Sequence, residues 1–336
     1  MPREVLIVGR MAHFYFSKIA SSPPNDPDKL WFNRRLMKDS FQFDRAAAYI
    51  NAMSYCGGGV FGYAQALASL GANALDRVQV FAGTSVGAFP ALSFAAGISP
   101  LVLTGFFKTE CARIFSGIGW RKIFRAALNP TFDDAALNAA LQKLFGNRTC
   151  ADLRRPCVIT THDALSGRPY VFWTPHHSNL ELWKLARMSA AAHTYLKSFD
   201  GYLDGGLMNN SPCHALSLTL LRRCGVRFER QRIFDLGTGA NIVKRTVRET
   251  QPLFKTGMLP IIFTDTVDGA GVEIHRENVR DTLHEYGGEF DHFEFPHSDF
   301  DFFDPAVVDM IDRDWQAEIN TASRSIDRFF NREPKS

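Results

Sequence analysis

Apolar and polar positions between residues 46 and 100 fall into alternating short and long segments. One short apolar run ends near Tyr55, and a second covers residues 78–82. Residues 63–70 and 86–96 instead have the spacing and the glycine stops that are typical of helices. The order strand, helix, strand, helix predicts a parallel sheet with helices packed on its faces.

The later part of the chain continues this alternation. The predicted elements are a helical stretch over 97–130, a helix over 131–146, a β-hairpin from 157–160 and 170–173, helices at 180–188 and 213–223, and a strand at 233–236. Beyond Asn241 the pattern loosens, and residues 290–303 alternate Phe with acidic residues, which predicts a sheet edge or a loop.

The chain closes on a predicted amphipathic helix. Asp304 is a fitting N-cap, and Pro305 suits the first helical position. Apolar residues then recur every three or four positions: Val308, Ile311, Trp315, Ile319, Ala322, Ile326 and Phe329. This stripe predicts one helix docked on the body of the protein.

Composition narrows the class of protein. Of the 336 residues 46% are apolar, and 38 Lys and Arg nearly balance 35 Asp and Glu, so we expect a large core and no nucleic acid partner. The six cysteines form no C-x-x-C pair and indicate reduced thiols. A core accounts for most of the 29 Phe residues, and an acyl-binding groove would account for the rest.

No apolar run approaches the roughly 18 residues that span a bilayer, and the amino terminus does not match a signal peptide. We therefore expect a cytoplasmic protein that contacts membranes from the surface. The run Trp120–Arg125 mixes aromatic and basic residues, as an interfacial segment does, and a packed helix with a solvated basic edge explains it equally well. Basic residues at 29–38 read either as a solvated face or as a surface for anionic lipid.

The first candidate site residue is Ser85, in the pattern G-x-S-x-G formed with Gly83 and Gly87. The pattern lies between a predicted strand and a predicted helix. Glycine on both sides allows the sharp turn that exposes a nucleophilic serine at a helix start. An ordinary serine in a glycine turn is the competing interpretation.

A glycine loop lies just upstream, at Cys56-Gly57-Gly58-Gly59-Val60-Phe61-Gly62. Three successive glycines between a predicted strand and a predicted helix expose backbone N–H groups, as an oxyanion hole requires. A third motif, Leu203-Asp204-Gly205-Gly206-Leu-Met-Asn-Asn210-Ser-Pro212, offers a carboxylate on a glycine turn. By itself Asp204 is equally well explained as a turn residue.

Together the three motifs resemble the patatin-like phospholipases. That family has a Gly-Gly-Gly-x-Arg-Gly loop, a G-x-S-x-G elbow and a later Asp-Gly-Gly followed by Asn and Pro. The segments Ala186–Tyr195 and Arg232–Gly239 are also similar to the family, and the resemblance runs from about Ala47 to Asn241.

The resemblance implies a three-layer α/β/α fold with a central, mostly parallel sheet and a C-terminal helical extension. Because the chain has no internal repeat and no long low-complexity linker, we expect a single domain with an N-terminal extension (1–45), a patatin-like catalytic core (46–241) and a C-terminal extension (242–336) that packs on the core and ends in an amphipathic helix. The implied activity is that of a serine lipid acyl hydrolase, phospholipase A-like, acting on a lipid substrate without a cofactor or a metal.

The resemblance also assigns roles. Ser85 is the nucleophile and Asp204 is its general base, which makes a catalytic dyad. Gly57, Gly58 and Gly59 form the oxyanion hole. The loop around Asp204 is supported by three residues: Gly205, Gly206 and Asn210. A protein activator is a further expectation that the sequence does not identify.

Three positions depart from the family. Phe61 replaces the family's Arg, Cys56 precedes the glycines where Asp is frequent, and His193 stands where Pro is usual. The oxyanion glycines remain, but the missing guanidinium removes a contact to a phosphate headgroup. A neutral lipid or another acyl ester is therefore an alternative substrate.

Other classes remain as alternatives. An α/β-hydrolase would use a Ser-His-Asp triad, and the late histidines are His275, His284, His292 and His297. The glycine loop also fits a dinucleotide fingerprint, but the next strand ends without the carboxylate that such a site requires. A patatin-like protein that binds without catalysis is the third alternative, and the presence of both Ser85 and Asp204 disfavours it.

Overall fold

A seven-stranded sheet lies at the centre of the chain. The computed structural model describes residues 43–44, 46–115, 134–192, 196–239, 270–296 and 303–333. Its strands are β1 (Ile50–Tyr55), β2 (Val80–Thr84), β3 (Cys157–Asp163), β4 (Arg168–Trp173), β5 (Tyr202–Asp204), β6 (Gln231–Leu236) and β7 (Glu289–Phe293).

The strand order is β4-β3-β2-β1-β6-β7, with β5 paired to β3 outside that path. The pairs β1–β2, β1–β6, β2–β3 and β6–β7 are parallel, whereas β4 and β5 run antiparallel to β3. Successive parallel strands are joined through helices, as crossover connections require. The sheet is therefore mostly parallel, as predicted, and the predicted hairpin is the β3–β4 pair.

Helices cover both faces of the sheet. They are α1 (Gly62–Gly71), α2 (Ala88–Ala95), α3 (Pro100–Phe115), α4 (Asp134–Phe145), α5 (Leu182–Ser189), α6 (Gly206–Asn209), α7 (Cys213–Arg222), α8 (Ala270–Tyr286), α9 (Ala306–Asp314) and α10 (Gln316–Asn331).

Alternate residues of β1 point to opposite faces of the sheet and enter two separate hydrophobic clusters. Met53 and Tyr55 belong to the larger cluster, which also contains residues of α1 to α5, α9 and α10. Ile50 and Ala52 belong to the smaller cluster, which contains residues of α7 and α8. Two helical layers around one sheet form the three-layer α/β/α fold.

The C-terminal part of the chain joins this body directly. β7 adds an edge strand beside β6, and α10 packs on α1. The predicted single helix is two helices, because the backbone at Trp315 leaves the helical region (φ −109°, ψ 17°). The domain boundary at residue 241 stays a prediction, and the sheet is continuous across it.

The structure also differs from the sequence in smaller ways. β2 begins and ends two residues later than the run 78–82 predicts, so that Gly83 and Thr84 still pair with β3. The helix α8 was not predicted, because polar residues occupy most of its length. Among the helices that the structure describes, none has the length and hydrophobicity that a bilayer crossing requires.

Candidate active site

The pairing of β3 brings two distant segments together. One edge of β3 is occupied along its length by β4. On the other edge, β2 pairs as far as Thr84 opposite Thr160, and β5 takes over with Asp204 opposite Thr161. Asp204 therefore lies beside the point at which the chain leaves β2 and enters the turn at Ser85.

The turn at Ser85 is sharp and sterically restricted. Ser85 has φ 54°, a left-handed conformation that is uncommon for residues other than glycine. A Cβ on Gly83 would lie 2.6 Å from the backbone N of Ala88, and a Cβ on Gly87 would overlap the carbonyl of Tyr55. Both glycines are required by close backbone approach, and the predicted elbow is present.

Ser85 and Asp204 are in direct contact. The Ser85 Oγ donates a hydrogen bond of 2.6 Å to Oδ2 of Asp204. The other oxygen, Oδ1, accepts a bond of 2.7 Å from the backbone N–H of Gly206. This second bond fixes the orientation of the carboxylate, so one oxygen stays directed at the serine.

Burial changes the acidity of Asp204. Only 7% of the residue is exposed, and desolvation raises the pKa of its carboxyl from 3.8 to about 6. The hydrogen bonds from Ser85 and Gly206 and the charge of Arg187 lower the pKa and offset part of this rise. Asp204 is therefore ionised at neutral pH but is a stronger base than an exposed carboxylate.

A second serine holds Ser85 in place. The backbone N–H of Ser85 donates to Oγ of Ser189 (2.8 Å), and that hydroxyl donates to the carbonyl of Thr160 (2.8 Å). Ser189 thereby links the elbow to β3 from the end of α5. The motifs identified Ser189 only as part of a segment similar to the family. The bridge itself depends on contacts between segments that are far apart in the chain.

The glycine loop lies on the other side of Ser85. A Cβ added to Gly57 would lie 3.1 Å from the Cβ of Ser85, so the loop and the elbow are adjacent. Gly59 has φ 56°, in the left-handed region that favours glycine. A Cβ on Gly58 would overlap Oγ1 of Thr238, at 2.1 Å.

The three glycine amides differ in their hydrogen bonds. The N–H of Gly57 donates to the carbonyl of Asn210 (3.0 Å), so it is already occupied. The amides of Gly58 and Gly59 donate no hydrogen bond within the described part of the chain. These two N–H groups are the ones that an oxyanion could use.

The predicted support residues are close to Ser85 and Asp204. Asn210 is buried and holds Gly57 through its backbone carbonyl. Gly205 leaves no room for a side chain, because a Cβ would overlap the carbonyl of Thr160. Gly206 orients Asp204, as described above.

A narrow apolar cavity of about 40 Å³ lies beside Ser85 and Gly59. Apolar side chains of α2, α3 and α4 supply most of its wall. They include Phe89, Phe106, Phe107, Cys111, Ile114 and Leu137. The abundance of Phe is thus partly explained by a cavity that reaches the candidate nucleophile.

No histidine in the described segments hydrogen-bonds to Ser85 or Asp204. His275 is half-buried and lies against His214, with ring centroids 5.5 Å apart. His193 and His297 lie outside the described residues, as do the run Trp120–Arg125 and the basic residues at 29–38. Within the described segments, no group of three or more His, Cys, Asp or Glu side chains could hold a metal ion.

About half of the chain is similar to a known protein family. Residues 53–217 match the family model described as patatin-like phospholipase. The match includes the glycine loop, the G-x-S-x-G elbow and the Asp-Gly-Gly motif. It confirms the family resemblance that these motifs indicate.

Three curated relatives carry the name cGAMP-activated phospholipase. The protein of Pseudomonas aeruginosa (strain BWHPSA011 / Pa011) is 30% identical over 154 residues, which are 43% of this chain and 46% of the relative. The protein of Vibrio cholerae is 27% identical over 181 residues, 48% of this chain and 51% of the relative. The chain spans about half the length of these relatives.

Two solved structures are also similar. VipD from Legionella pneumophila has a TM-score of 0.42 at 10% identity, over 90% of this chain and 72% of VipD. ExoU from Pseudomonas aeruginosa, in complex with SpcU, has a TM-score of 0.34 at 15% identity, over 80% of this chain and 60% of ExoU. At these values neither protein informs the chemistry of the site.

Proposed function

Because residues 53–217 belong to the patatin-like phospholipase family, we propose that this protein is a serine lipid acyl hydrolase that cleaves ester-linked fatty acyl chains. The observation that carries the proposal is the 2.6 Å hydrogen bond from Ser85 to Asp204. A serine that donates directly to a buried carboxylate has the base that it needs for nucleophilic attack.

In the first half of the reaction, Ser85 Oγ attacks the ester carbonyl and its proton passes to Asp204. A Ser85–acyl bond forms, the ester C–O bond breaks, and Asp204 returns the proton to the leaving alcohol. In the second half, Asp204 takes a proton from water, the hydroxide attacks the acyl group, and the fatty acid leaves as Ser85 is reprotonated. A carboxylate pKa near 6 suits both directions of this proton transfer.

The N–H groups of Gly58 and Gly59 would stabilise the oxyanion that forms in each half. Their unoccupied amides and their position beside Ser85 support this assignment. Gly57 would shape the loop without donating to the oxyanion, since Asn210 already accepts its N–H.

The apolar cavity would receive the first carbons of the acyl chain beside the ester. It reaches Ser85, and its lining is aromatic and aliphatic, which suits a hydrocarbon chain. Phe61, which replaces the family's Arg, would not contact the headgroup of the substrate. Its ring is buried (4% exposed) and stacks on Trp315. The proposal therefore commits to a lipid acyl ester and leaves both phospholipid and neutral lipid as substrates to be tested.

The test is release of fatty acid, measured by mass spectrometry, from phosphatidylcholine vesicles and from a triacylglycerol emulsion. Each substrate should be tested with and without cGAMP, because three relatives are named as cGAMP-activated. We expect release by the wild-type protein from at least one substrate and none by Ser85→Ala. No release from any substrate, with or without cGAMP, would contradict the proposed function.

A further inference from the structure

A buried ion cluster lies at the carboxyl end of β6, beside the glycine loop. Arg276 of α8 donates from Nε to Oδ2 of Asp235 (2.7 Å) and from Nη1 to Oε2 of Glu294 (2.5 Å). The side chains of Arg276 and Asp235 are 3% and 0% exposed. All three residues lie outside the part of the chain that matches the family model.

The cluster contacts the glycine loop at its first residue. The Cys56 thiol donates to Oδ2 of Asp235 (3.3 Å), and Nη2 of Arg276 lies 3.5 Å from the same sulfur. Burial, followed by the negative charge of Asp235, raises the pKa of Cys56 well above its usual value. The thiol therefore keeps its proton and acts as the donor to Asp235.

A second connection holds the N–H of Gly57. Ser211 donates from its hydroxyl to Oδ2 of Asp235 (3.0 Å). Ser211 follows Asn210, whose carbonyl accepts the N–H of Gly57 (3.0 Å). One side of the glycine loop thus depends on the position of Asp235.

A third connection holds the carbonyl of Gly57. Oε1 of Glu294 accepts the N–H of Gly239 (2.5 Å). The neighbouring residue, Thr238, donates from its hydroxyl to the carbonyl of Gly57 (2.7 Å). The N–H and the carbonyl of Gly57 are therefore both held by segments that hydrogen-bond to a carboxylate paired with Arg276. One carboxylate is that of Asp235, and the other is that of Glu294.

We infer that Arg276 is a positioning residue for the oxyanion hole, acting through Asp235 and Glu294 on the glycine loop. The inference rests on the proposed function, because the proposed function assigns the N–H groups of Gly58 and Gly59 to the oxyanion. The planar guanidinium donates to two carboxylates at once in a fixed geometry, which the flexible lysine ammonium does not reproduce. Oxyanion donors act over 2.7–3.1 Å, so a shift of about 1 Å in the loop is expected to cost up to about 10²-fold in rate.

The same pair of strands supplies a matched control. Arg232 and Glu289 pair at the opposite end of β6 and β7, with Nε and Oε2 3.1 Å apart. Their side chains are 4% and 7% exposed, so this ion pair is nearly as buried as the Arg276–Asp235 pair. Among the described residues, its hydrogen bonds do not reach the glycine loop.

The experiment compares Arg276→Lys with Arg232→Lys in the full chain, using a chromogenic fatty acyl ester. Both variants are expected to unfold at a lower temperature. Only Arg276→Lys should lose kcat, by about 10-fold to 10²-fold, with KM within about twofold of wild type because the acyl cavity is unchanged. An unchanged kcat in Arg276→Lys, or an equal loss in Arg232→Lys, would overturn the inference.

A second variant is needed if Arg276→Lys does not fold. Glu294→Gln changes a side chain that is 28% exposed and keeps an oxygen for the N–H of Gly239. It removes the negative charge that pairs with Nη1 of Arg276, so kcat should fall in the same direction, and a wild-type kcat would contradict the inference.

Fluorophosphonate labelling of the wild-type protein separates the two possible failures. If Ser85 is not labelled, the proposed function itself fails. If Ser85 is labelled, and Arg276→Lys (or Glu294→Gln, should Arg276→Lys not fold) is labelled as fast as wild type, only the role of Arg276 fails.

Discussion

The Ser85 hydroxyl donates straight to the Asp204 carboxylate across 2.6 Å, a distance that leaves no room for a third group. In a Ser-His-Asp triad an imidazole separates the two and carries the proton between them. Here β5 continues the edge of β3 where β2 ends, and this continuation places the carboxylate beside the serine. The sheet register therefore favours a dyad over the triad alternative.

Replacing Asp204 by Asn should remove catalysis nearly as completely as Ser85→Ala. The amide keeps the size of the side chain but has no oxygen basic enough to take the serine proton. Because the two groups act as a unit, the double variant should be no slower than either single variant. Ester hydrolysis by the purified variants measures both effects.

The histidines provide the control for this comparison. His275, His284, His292 and His297, each changed to Ala, should retain most of the activity. If one of these variants is folded but inactive, the mechanism is a triad and the dyad is wrong.

Asp204→Asn should also stabilise the protein above about pH 6. The folded pKa is about 6 and the ordinary value is 3.8, so the folded state binds the proton more tightly than the unfolded state does. Ionised Asp204 therefore lowers the free energy of unfolding at high pH, by up to about 3 kcal/mol for a shift of roughly two units. Removing the charge should raise the melting temperature at pH 8 and change it little near pH 4.

The control for this pH dependence is Asp152→Asn. Hydrogen bonds from Thr149 lower the pKa of Asp152, so its charge favours folding and the substitution should act in the opposite direction at pH 8. Thermal unfolding at pH 4 and pH 8 gives both results. If Asp204→Asn is less stable than the wild-type protein at pH 8, the ionised carboxylate of Asp204 does not destabilise the folded state and the prediction is wrong.

Gly59→Val should misplace an oxyanion donor. Valine disfavours the positive φ of this position, so the loop must change shape. Loss of one oxyanion donor typically costs about 10²–10³ in kcat. Gly105→Val is the matched control, because a Cβ there meets no atom within 4 Å and the residue lies on the exposed side of α3. Equal turnover in the two variants would refute the assignment of Gly59.

Binding to membranes should depend on the run Trp120–Arg125, which lies outside the described residues. Aromatic rings at headgroup depth and cations near phosphates predict binding that rises with anionic lipid and falls with salt. Co-sedimentation with vesicles measures this dependence. If substitutions at Trp120 and Arg121 leave binding unchanged, the docking surface is elsewhere.

The sequence predicted the elements with strong local patterns. The strand that ends at Tyr55, the elbow at Ser85 and the hairpin at 157–173 follow from apolar runs and glycine turns, and all three are present. The three-residue strand β5 was read as a turn, because a strand this short has no period of its own. The sequence did not predict the break between α9 and α10 at Trp315, because the break depends on tertiary contacts. The Trp315 ring stacks between Phe61 and Phe295.

The candidate site was predictable only in part. Ser85, Asp204 and the glycines are marked by motifs, and motifs are local. The occupied amide of Gly57, the bridge through Ser189 and the contact of Arg276 with Cys56 join segments that are many residues apart. The spacing of residues in a single sequence does not predict contacts between such distant segments, because these contacts form only when the chain folds.

The most direct test of the central claim is covalent labelling with a fluorophosphonate probe, followed by mass spectrometry of the labelled peptide. We predict a single adduct on Ser85 in the wild-type protein and no adduct in a folded Ser85→Ala variant. Asp204→Asn should be labelled far more slowly than wild type, because its serine has lost the base. Labelling that persists in Ser85→Ala, or an adduct on another residue, would contradict the assignment of Ser85 as the nucleophile.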